Sequence, residues 1–358
     1  MSIQVHNGDA LGAAAVAAAD PTGQLADISG LGDHLRDALW RVESAGIRPI
    51  DAPDGAVVAG MGGSGIGGRL AIAALGPRAR RPLAVVAGYA LPPWTTPGTL
   101  VVCSSYSGNT EETLACYEQA GALGAPRVAV TTGGELAARA RRDGVPVIPV
   151  PGGFQPRAAV GYSLVAVLES VAKAGGAPSL RDEVEAAAAL AEALMREWGP
   201  DGAADGDAKQ LARRLAGRIA VVAGADLTAP VAYRWKAQLN ENAKLPAFAS
   251  ELPELDHNEL VGWPASDELG RFAAVFLEDP EADERVRARF ALTAEIAGTG
   301  TDVVARVTGR GETRLERLVS LVLLGDLVSM YMAVLRGVDP VDVRAIDVLK
   351  ERLAAARA

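Results

Sequence analysis

From residue 56 onward, short apolar runs of strand length alternate with segments of helix length, and that alternation limits the fold more than any other feature. The runs are AVVAG (56–60), LAVVAG (83–88), TLVVCSS (99–105), RVAVTT (127–132) and PVIPV (146–150). Between them lie Ile66 to Leu75, Glu111 to Leu123 and Glu135 to Arg142. Strands this short and this uniformly apolar need cover on both faces, which predicts a parallel sheet with helices on either side. A second series follows: RIAVVAG (218–224), a helical stretch from Ala229 to Leu239, FAAVFLE (272–278) and DVVARV (302–307), with long helical patterns at 284–297, 314–336 and 344–356. AVVAG stands at 56–60 and again at 220–224, each time ahead of a helix-length segment. Chance repetition in an Ala/Val-rich chain and a duplicated fold both account for it. The expected class is α/β, with two doubly wound subdomains, each built on a mainly parallel sheet flanked by helices.

A chain of 358 residues suits two domains of ordinary size. AGGAPS (174–179) opens a helix near 180–198, and WGPDGAADGD (198–207) breaks it with Pro and Gly. The expected division is an N-terminal segment 1–30, a first subdomain 31–178, a linker helix and junction 179–206, and a second subdomain 207–358. A net charge of −9 and a pI near 5.1 disfavour sequence-independent binding to nucleic acid or anionic lipid, so neither is expected as a partner. Cys103 and Cys116 lack metal-ligand spacing and no signal-peptide pattern precedes them, so a reducing cytoplasm is the expected location. Ser320 to Leu335 is strongly apolar but carries Asp326 and is flanked by Arg314, Arg317 and Arg336, which reads as a buried helix rather than a membrane span. His6, in the weakly patterned N-terminal segment, and His34, in a helix with polar neighbours, read as surface residues.

Glycine is abundant, 40 of 358 residues, and its densest run has a chemical rationale. AVVAGMGGSGIGGRL sets a strand, then Gly60, Gly62, Gly63, Ser64, Gly65, Gly67 and Gly68, then a helix. Glycines there permit positive φ and let backbone amides approach an anion at the helix N-terminus. Gly60-x-Gly62-x-x-Gly65 fits a dinucleotide fingerprint, but Arg78, Arg80 and Arg81 stand where its acidic partner belongs, and the Lys-Ser/Thr of a P-loop is missing. After the third run comes Ser104-Ser105-Tyr106-Ser107-Gly108-Asn109-Thr110-Glu111-Glu112-Thr113. Its hydroxyls at Ser105, Ser107 and Thr110, with the amides opening the next helix, can cradle a phosphate. The plainer alternative is helix capping by Asn109 or Thr110, which needs only one such residue.

GMGGSGIGG and SYSGNTEET together resemble the sugar isomerase (SIS) domain, a doubly wound α/β fold that binds phosphosugars. WKAQLNENAKLPAFASELPELDHNELVGW (235–263) resembles, more specifically, the bifunctional phosphoglucose/phosphomannose isomerases, which carry two SIS subdomains; the likeness runs from about residue 31 to 352. It implies phosphate binding by Gly63, Ser64, Ser105, Ser107 and Thr110. It further implies an intramolecular oxidoreductase that interconverts glucose 6-phosphate or mannose 6-phosphate with fructose 6-phosphate through a cis-enediol, without a cofactor. A non-catalytic SIS protein that binds or senses a phosphosugar is the alternative.

Four residues carry the implied acid/base chemistry, and each has a plainer reading beside it. Glu241 follows a helical run and on its residues alone could be a solvated helix end; the resemblance makes it the base that moves a proton between C1 and C2. His257, in Glu254-Leu255-Asp256-His257-Asn258-Glu259, is as readily a structural histidine; the resemblance implicates it in ring opening, reaching the site from the partner subunit of a homodimer. Lys350, one of only five lysines, reads as an exposed helix lysine or, by resemblance, as a group near the sugar ring oxygen. Arg157, ahead of the helix containing Tyr162 and Leu164, reads as a structural arginine at a helix start, though a cation there opposes the helix dipole, or by resemblance as the group that holds the enediolate charge. No metal is expected, since His257 has no second histidine at i+3 or i+4 and neither cysteine is near it in sequence. One departure concerns substrate range: Val341 follows Asp339-Pro340 where many relatives have threonine, and a hydroxyl there bears on handling both epimers.

Overall fold

A computed structural model describes residues 9–355, the side chains of Lys350 and Ala354 excepted, so His6 lies outside the described residues. Three helices come first: α1 (Ala13–Ala19), α2 (Gln24–Ser29) and α3 (Leu31–Ser44). The first α/β series is β1 (Gly55–Ala59), α4 (Gly62–Leu75), β2 (Leu83–Val86), β3 (Thr99–Ser104), α5 (Glu111–Leu123), β4 (Arg127–Thr131), α6 (Gly134–Arg142), β5 (Val147–Pro149) and α7 (Val160–Lys173). Helices α8 (Arg181–Trp198) and α9 (Asp207–Leu215) lead into the second. That series is β6 (Ile219–Gly224), α10 (Ala229–Glu241), β7 (Ala247–Glu251), the one-turn α11 (Ser266–Leu269), β8 (Phe272–Glu278), α12 (Glu284–Ala297) and β9 (Val304–Thr308). Helices α13 (Arg314–Arg336) and α14 (Arg344–Ala355) end the chain.

Both sheets are parallel throughout, ordered β2-β1-β3-β4-β5 and β7-β6-β8-β9. The expected α/β class with two parallel-sheet subdomains is what the chain adopts. The two AVVAG strings occupy corresponding places, since β1 and β6 each sit second in their sheets with the next strand in sequence on their outer side. Strand β7 was not anticipated. Its AFASE run is an edge strand whose Phe248 is exposed, so it lacks the continuous apolar run that marked the others.

The core between the sheets is aliphatic, as few aromatic residues require. Helix α13 fills much of it: Leu315, Leu318, Leu323, Leu327, Val328 and Met330 are fully buried. By length and composition α13 could cross a membrane, but here its apolar stretch is almost wholly buried inside the protein. Trp235 of α10 packs against Gly325 of α13, where any Cβ would collide with the indole, and donates its indole N–H to the Leu321 carbonyl at 2.8 Å. That close packing brings the second-subdomain helix α10 against the core, with its C-terminus directed at the site described below. Cys103 and Cys116 are free thiols, both buried, and burial pushes both thiols up, Cys116 to about 11.

The surface reading of His34 is corrected. It shares the buried face of α3 with Leu31, Leu35 and Ala38, at helical spacing, while the polar neighbours that argued for exposure point elsewhere. Its ring lies 4.7 Å from that of Phe154 and 5.3 Å from that of Tyr162, and Nδ1 has no hydrogen-bond partner. Burial holds its pKa below the ordinary 6.5, partly opposed by Asp33 and Asp37. The neutral ring is therefore preferred by the fold. As pH falls through the unfolded value the unfolded chain takes up the proton first, so the stability His34 contributes is present above pH 6.5 and is lost below it. Urea unfolding at pH 7 and pH 5 should show the wild type losing more stability than His34→Phe, by at most about 1.4 kcal/mol per pH unit. Equal pH dependence in the two proteins would contradict this.

Candidate functional site

Strand β1 has β2 on one side and β3 on the other, so the connections from β1 and β3 diverge and leave a crevice at their carboxyl ends. One wall is the turn into α4. Gly62 takes φ +50, a left-handed conformation that a side chain would disfavour. Gly63 packs so tightly that a Cβ would lie 2.7 Å from the Pro156 carbonyl oxygen. Helix α4 has no side-chain cap and no acidic residue in its first turn, so the positive end of its dipole is uncompensated.

The other wall is the loop after β3. Ser105 Oγ lies 2.8 Å from Thr110 Oγ1 and accepts the Gly108 N–H at 3.1 Å, while Ser107 Oγ accepts the Asn109 N–H at 3.2 Å. The Tyr106 N–H donates to Ser64 Oγ at 3.1 Å and so ties the two walls together. Thr110 occupies the N-cap position of α5, yet its side chain makes no capping bond. Asn109 Oδ1 instead accepts the Glu135 N–H of α6 at 3.0 Å, so neither residue caps α5 with its side chain, and the Ser105 and Thr110 hydroxyls are bonded to each other. In the second sheet the corresponding crevice is filled: Thr228 Oγ1 donates to the Leu277 carbonyl at 2.7 Å, and buried Arg317 pairs with buried Asp279 at 2.7 Å.

Arg157 and Glu241 meet beside the first crevice. Arg157 lies just before α7 and is 4% exposed. Its Nε donates to Asn242 Oδ1 at 2.7 Å, Nη2 to the Pro340 carbonyl at 2.8 Å, and Nη1 reaches Glu241 Oε2 and Gln155 Oε1 at 3.4 Å each. Burial works against its charge, and the Glu241 carboxylate opposes that effect. Glu241 is the last residue of α10, with its side chain about one-third exposed. A cavity of about 220 Å³ is lined by Gly62, Gly63, Arg157, Lys236, Asn240 and Glu241, so the glycine turn and the carboxylate open into one space. A larger cleft of about 760 Å³ between the β2 and β7 edges, where Arg69 and Tyr233 lie, contains none of the residues expected in the site.

Behind this pair is a buried polar network that the sequence reading missed. Arg234 donates to both carboxylate oxygens of Asp326, at 3.1 and 2.6 Å, and to the Arg157 carbonyl at 2.9 Å. Gln238 donates to Asp326 at 2.8 Å, and Asn242 donates to Ser329 Oγ at 2.9 Å. The signal was present in Asp326: a carboxylate inside an apolar helix needs a buried cation to pair with. Lys244 was also missed. Its Nζ donates to the Glu241 carbonyl and, at 3.0 Å, to the Pro340 carbonyl, and burial followed by the charge of Arg157 holds it below the usual lysine range.

The structure thus places Gly63, Arg157 and Glu241 on one cavity, with Ser64, Ser105, Ser107 and Thr110 in the adjoining loops. It does not bring His257 to them. His257 ends a short 3-10 turn after β7, is exposed, and has no hydrogen bond to Glu241 or Arg157; its neighbour Asp256 is taken by Arg289 and Thr293. Lys350 lies on α14, and its side chain is outside the described residues. Among the described residues no three His, Cys, Asp or Glu side chains gather as a metal site.

Comparison with known proteins places the chain in a family. Residues 204–353 match the family model described as the bacterial phospho-glucose isomerase C-terminal SIS domain. The chain is 39% identical over 304 residues to a bifunctional phosphoglucose/phosphomannose isomerase of Caldicellulosiruptor bescii, covering 84% of this chain and 90% of the relative. A protein of the same name from Aquifex aeolicus is 39% identical over 300 residues, with 84% and 90% covered. In fold the chain is similar to the C-terminal domain of glucosamine-fructose-6-phosphate aminotransferase from Francisella tularensis, with a TM-score of 0.66 at 15% identity, covering 88% of this chain and 96% of that one.

The buried network makes its own prediction. Asp326→Ala would leave Arg234 and Gln238 without their shared acceptor, and should cost about 3–5 kcal/mol in urea unfolding. A loss below about 1 kcal/mol would mean that the pair does not hold α10 to α13.

Proposed function

The chain belongs to the bifunctional phosphoglucose/phosphomannose isomerase family, and from that membership we propose that it interconverts glucose 6-phosphate or mannose 6-phosphate with fructose 6-phosphate. The observation that carries the reading is the Arg157–Glu241 pair, 3.4 Å apart, on a cavity that also reaches the glycine turn. A protein that only binds or senses a phosphosugar needs the turn and the hydroxyl loop but has no use for that pair, so the non-catalytic alternative is not favoured.

In this proposal the substrate phosphate sits among Gly63, Ser64, Ser105, Ser107 and Thr110, and its binding energy holds the reacting carbons at Glu241. The Glu241 carboxylate takes the proton from C2 of the open-chain aldose. Electrons from that C–H bond form the C1–C2 double bond of the cis-enediol, and the carbonyl at C1 becomes an oxyanion. Arg157 is positioned to hold that charge, because its guanidinium stays protonated and is fixed by its other acceptors before the reaction begins. The O2 proton passes to the O1 oxyanion, which becomes the C1 hydroxyl; Glu241 then returns its proton to C1 at the expense of the C1–C2 double bond as the electrons left on O2 form the C2 ketone. A base and an oxyanion partner complete the step, so the proposal includes no metal or redox cofactor.

Ring opening falls to His257 and Lys350. The exposed position of His257, away from its own Glu241, supports a homodimer in which His257 of one copy serves the site of the other. The proposal keeps 31–178 and 207–358 as two SIS units joined by 179–206, and places the protein in the cytoplasm, in keeping with its two free thiols.

A coupled assay with glucose 6-phosphate and mannose 6-phosphate tests the reading. Turnover should persist in EDTA and fall by about 10³-fold or more in Glu241→Gln, which keeps the shape but cannot accept the proton. No turnover of either sugar by folded protein would sink the isomerase reading, and activity lost to EDTA would sink the metal-free route.

A further inference from the structure

Lys244 has no part in the steps above, yet both its backbone and its ammonium are committed. It holds φ +54, a conformation that glycine adopts freely and lysine rarely. From there Nζ donates to the Glu241 carbonyl and, at 3.0 Å, to the Pro340 carbonyl. Capping the end of α10 would account for the first bond but not the second. Arg157 Nη2 donates to the same Pro340 oxygen at 2.8 Å, so one carbonyl receives two cationic donors from two distant segments.

Pro340 is buried in the turn joining α13 to α14. Beyond it, among the described side chains of α14, Ile346, Val348, Leu349 and Leu353 are 41–57% exposed. The turn ties the start of α14 to the Glu241 end of α10 through the Pro340 carbonyl. Asp339 and Asp342 flank it, and their charges favour the ammonium there.

We infer that Lys244 is a positioning residue: with Arg157 it clamps the Pro340 carbonyl and so sets the C-terminal helix, which carries Lys350, relative to Glu241. The kinetic consequence rests on the isomerase reading; the clamp itself rests on the bonds to Pro340.

Three full-length variants test it. Lys244→Gly removes the ammonium and also relieves the backbone, so its fold should not suffer; Lys244→Met keeps the apolar stem; Lys244→Arg keeps the charge. In Gly and Met, kcat for glucose 6-phosphate should fall about 10- to 100-fold while KM stays within about threefold, because the phosphate loops are untouched and only the reacting end is misplaced. Lys244→Arg should recover to within about fivefold of wild type. The Tm of Lys244→Gly should equal or exceed that of wild type. Limited trypsin cleavage after Arg336 and Arg344, read without substrate, should quicken about fivefold or more in Gly and Met. Wild-type kcat in Lys244→Gly, a kcat loss with unchanged cleavage, or a Tm loss in Lys244→Gly that accompanies its kcat loss would each overturn the clamp. If wild-type protein turns over neither sugar, the isomerase reading fails and the cleavage rates still decide the clamp.

Discussion

A guanidinium withdrawn from water must be given acceptors, and Arg157 receives them from three stretches of chain. Asn242 and Glu241 come from the end of α10, Pro340 from the turn before α14, and Gln155 from its own loop. The Arg157 carbonyl is in turn held by Arg234, whose guanidinium is neutralised by Asp326 of α13. Moving any of these segments would strand a buried charge, which costs far more than a surface contact. The two subdomains are thereby joined at the point where the glycine turn of one faces the carboxylate of the other. Two neighbouring guanidinium groups repel, and the carboxylates at Glu241 and Asp326 make their closeness tolerable.

The duplicated sheet has diverged in what fills its crevice. After β1 and β3 the crevice is walled by glycine backbone and by the hydroxyls of Ser64, Ser105 and Thr110. After β6 and β8 the equivalent place holds Thr228 and the Arg317–Asp279 pair. In the proposed reaction one unit binds the phosphate in its crevice, while the other supplies, from α10, the carboxylate that acts on the sugar so positioned. An acidic protein can in this way take an anionic substrate without any large basic surface.

Legibility followed the range of the forces involved. Strands buried on both faces announce themselves as continuous apolar runs, and the local demands of a strand-to-helix turn show as clustered glycines, so β1, β3 and the loops after them were readable directly. The edge strand β7 was not, because one side of it meets solvent. His34 was misread because its polar neighbours were weighed and its helical phase with Leu31 and Leu35 was not. Arg234, Gln238, Asn242 and Lys244 owe their roles to partners 77 or more residues away, or to a turn that closes only in three dimensions. Glu241 and Arg157 carried no decisive local pattern, and likeness to a family was what singled them out.

The most direct measurement follows the proton. In deuterium oxide, glucose 6-phosphate converted by the wild type should yield fructose 6-phosphate with solvent deuterium at C1, since a proton resting on Glu241 can exchange before it is returned; residual product from Glu241→Gln should acquire none above the uncatalysed rate. Because the Glu241 side chain is about one-third exposed, product formed by the wild type with no deuterium at C1 would contradict an exchangeable proton held there, at the Arg157 junction, between the two carbons.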